Sequence, residues 1–223
     1  VESDKIHAAT HERNFPYAKI YAEDVRQFSA AKALADLRIK KGDLDLVFGG
    51  PPCQGFSFIG YRNTDDARND LVGVFARQVL ALDPRAFVME NVPGMLAGEM
   101  KHVLAAFIRT LQGRYAIVQP VQLLNAADFG VPQSRRRLFV IGIRRDLGVV
   151  PRYPVGGKRP RVTVGEAIAD LPDIEGLSPD TDETPYNRRP EGRYARIMRG
   201  WQRDPADHAY PRDWNRKIAT NCR

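Results

Sequence analysis

From residue 1 to about residue 172, short apolar runs stopped by Gly or Pro alternate with amphipathic stretches, and no other feature narrows the fold as much. A short apolar run followed by a longer segment with apolar side chains at helical spacing reads as a strand feeding a crossover helix. Repeated along a chain, that unit builds an α/β domain around a mostly parallel sheet. The runs at 44–48, 85–89, 115–124 and 138–144 read as strands, with a further short strand at 18–21. Helices are expected at 4–13, at 29–41 (closed by Gly42), at 70–82 and at 99–111 (closed by Gly113). In the third of these, Leu71, Phe75, Val79 and Leu82 share one face and read as core. Thr163-Val164-Gly165-Glu166 carries a capping-box pattern ahead of a short helix. From 173 onward the periodicity fades and Arg, Pro, Asp and aromatic residues take over, so the chain reads as an α/β domain over 1–172 and an irregular basic segment over 173–223.

Chemistry in an open α/β sheet collects where strands hand over to loops at their C-terminal ends. Three such places carry reactive side chains. The first is Gly49-Gly50-Pro51-Pro52-Cys53-Gln54-Gly55-Phe56-Ser57, where a thiol sits on a turn stiffened by two prolines. On this loop alone, Cys53 is equally a candidate nucleophile and a small buried residue. The second is Glu90-Asn91-Val92, a carboxylate at the end of the 85–89 strand. Partial desolvation there favours a held proton, and a capping or salt-bridged acid is the plainer alternative. The third is Gln133-Ser134-Arg135-Arg136-Arg137, arginines running into a strand. Alternation along an extended segment would put Gln133, Arg135 and Arg137 on one face, where they grip an anion or a base edge, and a solvated face is the plainer alternative. Glu2, at the tail of an opening strand, and Asp24, after the 18–21 run, are acids at positions where a doubly wound domain bonds a nucleoside, or else an exposed terminus and a helix cap.

The bulk properties close off several classes. No run of about 18 apolar residues exists, so no membrane span is expected, and the opening residues lack a secretory pattern. The only cysteines are Cys53 and Cys222, which argues against a disulfide framework and for a reducing compartment. A net charge of +7 with a pI near 9.6 suits a polyanionic partner. Arginines interleaved with Trp201, Tyr210 and Trp214 in the last segment suit phosphate contact and base stacking, and a disordered tail is the competing reading.

Taken together, the Pro-Pro-Cys-Gln-Gly-Phe-Ser loop, the Glu-Asn-Val block and the Gln-Ser-Arg-Arg-Arg block, in this order, resemble the cytosine-C5 DNA methyltransferase family. The resemblance covers residues 1–172 and implies a Rossmann-like fold that uses S-adenosylmethionine and no metal. It implies Cys53 as the nucleophile on cytosine carbon 6, Glu90 as the acid at ring N3, Arg137 at the O2 oxygen, and Arg135 steadying the loop or ring. It implies Glu2, Asp24, Val25, Pro52 and Leu71 as the cofactor-binding set. Double-stranded DNA with an extruded cytosine is the implied substrate, residues 173–223 the start of a target-recognition region, and bacterial cytoplasm or nucleoid the location. The family's Gly-rich N-terminal block and its final block have no counterpart here, so a fragment or a complementing polypeptide is expected. Ser3 stands where the family often has a larger side chain beneath the adenine. A tRNA cytosine-5 methyltransferase of the same family and a non-catalytic nucleic-acid-binding subunit are the competing readings.

Overall fold

The computed structural model describes residues 1–52, 71–157, 160–173, 175 and 188–202. They fall into two compact units: Val1–Leu124 with Arg136–Pro154, and Asn125–Arg135 with Val155–Arg223.

The first unit holds the sheet, formed by β1 (Leu46–Gly49), β2 (Ala86–Asn91), β3 (Tyr115–Ile117), β4 (Gln122–Asn125, its last residue in the second unit) and β5 (Arg136–Arg144). Its order is β1-β2-β5-β3, with β4 also paired to β5. The α/β reading holds. The sheet is mixed, parallel between β1 and β2 and antiparallel where β5 meets β2 and β3.

Among the described residues of this unit there are four α-helices: α1 (Lys5–Asn14), α2 (Ala30–Asp36), α3 (Leu71–Leu82) and α4 (Met100–Leu111). Strand alternation sends Phe87 and Met89 of β2 and Leu138 and Val140 of β5 to one face, where Val79 of α3 and Phe107 of α4 meet them; all are at most 2% exposed. Full burial of one such side chain stabilises the fold by about 1.5–3 kcal/mol. Among the described residues no helix is long and apolar enough to cross a membrane, and no group of three His, Cys, Asp or Glu is placed to hold a metal.

Several elements depart from the sequence pattern. The expected strands at the opening residues and at 18–21 are absent, and Glu2 N–H donates to Tyr21 O at 3.0 Å. Helix α2 stops five residues short of Lys41, because Arg38 takes a left-handed φ of 55° and Ile39 N–H closes the end on Leu34 O. The 115–124 run divides into β3 and β4 around Pro120, which has no N–H to give a ladder. In the second unit, the capping box at Thr163 and Glu166 forms as expected and starts α5 (Val164–Ile168). A helix not foreseen, α6 (Arg193–Met198), follows, and Arg199 just beyond it meets the buried Asp170 carboxylate through two bonds of 3.1 Å.

Asp83 ties the turn after α3 to the far end of the sheet. Its carboxylate accepts from Arg114 Nε at 2.8 Å, and Arg144 lies 3.6 Å away. The Arg114 bonds hold its carboxyl below the ordinary value of 3.8. A group with a depressed folded pKa adds stability above its unfolded pKa and loses it as pH falls through the folded one. Asp83→Asn is therefore expected to cost about 1.5–3 kcal/mol at pH 7. The deficit stays full down to the ordinary carboxyl value of 3.8 and fades below it as pH falls through the lowered folded value, which urea unfolding at stepped pH measures.

Candidate active site

Parallel pairing sets Gly49 beside Met89, so the chain leaving β1 passes the last two residues of β2. Those residues, Glu90 and Asn91, point to opposite faces. Asn91 turns to the core side, where it is 3% exposed. Its Nδ2 donates to Pro51 O at 2.9 Å, and its Oδ1 accepts from Val92 N–H at 2.9 Å. One amide thus fixes the Pro51-Pro52 turn to the end of β2. The two glycines before that turn answer to close neighbours. A Cβ at Gly49 would come 2.8 Å from the Phe75 ring, and one at Gly50 would come 3.3 Å from Glu90 Oε2.

Glu90 pairs in register with Phe139 of β5, and Arg137 stands two residues before Phe139 on the same face. The outcome is an ion pair, Arg137 Nε to Glu90 Oε1 at 3.1 Å, with side chains 24% and 35% exposed. Arg137 also donates to Arg136 O at 2.9 Å. A carboxylate and a guanidinium therefore stand together at the C-terminal end of β2. The acid is faced by a cation rather than sealed among apolar groups.

The expected common face of Gln133, Arg135 and Arg137 does not extend back from β5. Gln133 N–H bonds Val131 O at 2.7 Å and Arg135 N–H bonds Gln133 O at 3.0 Å, two tight i to i+2 turns that break the alternation before Arg136. Arg135 lies in the second unit and Arg137 in the first. Cys53 lies outside the described residues, as do the loop after it and residues 203–223 with Tyr210, Trp214 and Cys222.

Of the expected cofactor set, Glu2 Oε1 accepts from Asp4 N–H at 2.9 Å. The Asp24 carboxylate is gripped by the Arg26 side chain and by Arg26 N–H, which lower its pKa to about 2. Val25 sits in the turn that follows, Pro52 is exposed, and Leu71 is half-buried at the start of α3. The backbone bond from Glu2 N–H to Tyr21 O links the segments that carry these two acids, and a carboxylate can take a hydroxyl or an amine donor. Asp24 would have to share its oxygens with Arg26. The role of Asn91 escaped the sequence reading, although an Asn closing an apolar strand next to a Pro-rich loop was a visible cue.

A family model described as C-5 cytosine-specific DNA methylase matches residues 1–208. The chain belongs to this family. It is 41% identical over 224 residues to the Type II methyltransferase M.XorII of Xanthomonas oryzae pv. oryzae, covering 99% of this chain and 52% of that protein. It is 35% identical over 227 residues to the Type II methyltransferase M.AgeI of Thalassovita gelatinovora, covering 92% and 52%. Among solved structures it superposes, with a TM-score of 0.74 and 30% identity, on a protein described as a DNA modification methyltransferase encoded within an E. coli prophage, covering 89% of this chain and 56% of that one. The chain spans about half the length of these curated relatives.

Proposed function

We propose that the intact protein is a DNA (cytosine-5)-methyltransferase of the restriction-modification type, which methylates carbon 5 of cytosine within a specific DNA sequence. The observation that carries this reading is the 3.1 Å pair of Glu90 and Arg137, set at the same strand end to which Asn91 holds the Pro51 turn that leads to Cys53. Residues 1–172 form the catalytic part of this reading and residues 173–223 open its target-recognition region. The rest of the cofactor pocket belongs to further chain or to a complementing polypeptide, in keeping with relatives about twice as long.

Carbon 5 of cytosine must be made nucleophilic before it accepts a methyl group. The Cys53 thiolate adds to carbon 6, forming a C–S bond and sending the ring's electron pair toward carbon 5. Glu90 shares a proton with N3, and Arg137 bonds the O2 oxygen, so charge is met as it develops. Arg135 steadies the ring or the Cys53 loop. Glu2, Asp24, Val25, Pro52 and Leu71 would hold S-adenosylmethionine, which would supply the methyl group: carbon 5 takes the methyl as its bond to the sulfonium sulfur breaks, and S-adenosylhomocysteine leaves. Loss of the carbon-5 proton to solvent returns an electron pair to the ring, breaks the C–S bond and frees Cys53. The base is out of reach inside a duplex, so it is extruded into the site.

Incubation of the intact protein with methyl-labelled S-adenosylmethionine and either duplex DNA or tRNA tests the reading. Label is expected in 5-methylcytosine from the DNA. Label confined to tRNA, or to N4-methylcytosine, would refute it.

A further inference from the structure

We propose that Asn125 is a positioning residue for Arg135, setting the backbone from which that guanidinium acts; the role in transfer rests on the methyltransferase reading above. Asn125 ends β4 and caps the 3₁₀ turn Ala126–Phe129, its Oδ1 accepting from Ala127 N–H at 3.3 Å. The same oxygen accepts from Arg135 N–H at 3.0 Å, and its Nδ2 donates to Ser134 Oγ at 3.4 Å. The next residue completes the grip, since Ala126 N–H donates to Arg135 O at 2.9 Å. Arg135 O is thus held by residue 126, and Arg135 N–H, shared with Gln133 O at 3.0 Å, by residue 125, nine and ten residues back in the chain.

The support for this grip is itself braced. Asp128, inside the turn, takes the Arg161 side chain at 2.6 Å, and its carbonyl accepts from Gly157 N–H at 2.7 Å. A Cβ at Gly156 would come 2.8 Å from Asp128 Cβ, so the passing chain lies against the turn as closely as a backbone can. Gly130 then leaves the turn at a left-handed φ of 88°. The side chain that joins this braced turn to Arg135 must accept two N–H groups, which an amide or a carboxylate does and a methyl group cannot.

Misplacing a group that meets the transition state by about 1 Å costs on the order of 100-fold in rate. For Asn125→Ala in the intact protein, kcat is expected to fall roughly 10- to 100-fold, with DNA and S-adenosylmethionine affinities within about twofold of wild type. Asn125→Asp keeps the acceptor oxygens, and Ser134 can turn its hydroxyl to donate, so kcat is expected to recover to within about threefold. In an Arg135→Ala background, Asn125→Ala is expected to add no further loss, because a residue acting through another is silent once that other is gone. Multiplicative losses in the double variant, or unchanged kcat in Asn125→Ala, would overturn the proposal. Hydrogen exchange of the Arg135 amide gives a readout independent of activity. It is expected to quicken in Asn125→Ala and to stay slow in Asn125→Asp. Unchanged exchange refutes the positioning role, whereas faster exchange in a protein that never methylates DNA refutes only the methyltransferase reading.

Discussion

A Cys53→Ser variant of the intact protein is expected to transfer no measurable methyl group to DNA that the wild type modifies. A duplex carrying 5-fluorocytosine in the target sequence should be trapped covalently by the wild type and not by the variant. The size of the effect follows from ionisation. A free thiol has a pKa of about 8.5 and supplies a working fraction of thiolate near neutrality, more so beside basic groups, whereas a serine hydroxyl stays protonated. In this protein the Glu90 carboxylate at the end of β2 is paired with the Arg137 guanidinium. The change from sulfur to oxygen therefore removes the nucleophile outright, and a loss of roughly 10⁴- to 10⁶-fold is expected. DNA affinity should hold within about threefold, because the thiol is not a phosphate contact. That separates chemistry from misfolding. Turnover within about tenfold of wild type, or a fluorocytosine adduct on the variant, would sink the nucleophile assignment.

The reading of strands and long helices transferred well because each rested on local rules that tertiary packing reinforced. The spacing of Leu71, Phe75, Val79 and Leu82 gave α3, although its buried residues include Val72, Val74 and Ala76 and leave Leu71 and Phe75 half-buried, and the apolar run before Glu90 gave β2. Where the reading failed, one residue's backbone geometry decided the outcome. Arg38 adopts a left-handed conformation that ends α2, and nothing in an arginine announces it. The turns at Gln133 and Arg135 break an alternation that residue types alone suggested. The meeting of Glu90 with Arg137 was legible only as two strand-end positions. Their contact depends on β5 running antiparallel to β2 in one register, a long-range pairing that spacing along the chain does not encode. For the same reason the parts played by Asn91 and Asn125 were not legible: each closes a strand and holds the backbone of a neighbouring loop.

Gly142→Ala is expected to be the most destabilising single-methyl change in the sheet. At most backbone-compatible positions this substitution stabilises by about 0.4–1 kcal/mol through the unfolded state. Gly142 sits in β5, paired with Phe87 of β2 on one side and Ile117 of β3 on the other. The Phe87 ring lies across it: a Cβ there would be 2.7 Å from Phe87 Cζ and closer still to Cε1. The ring has nowhere to go. It is fully buried, edge-on to Phe107 with centroids 5.9 Å apart and to Tyr115 at 5.1 Å. Tyr115 is itself held by the bond from its hydroxyl to Pro84 O at 3.0 Å. Relief must come from moving strands, so the cost should reach about 3 kcal/mol, the upper part of the range for overpacked cores. For a chain of this size that lowers the melting temperature by roughly 6–12 °C. Phe87→Leu alone should cost about 1–2 kcal/mol, and the double variant should be more stable than the sum of the two by at least about 1 kcal/mol, since the smaller side chain makes room for the methyl group. Urea unfolding of the four proteins measures the coupling. Additive losses would mean that the ring is not what excludes a side chain at position 142, and a neutral Gly142→Ala would mean that the sheet yields without cost.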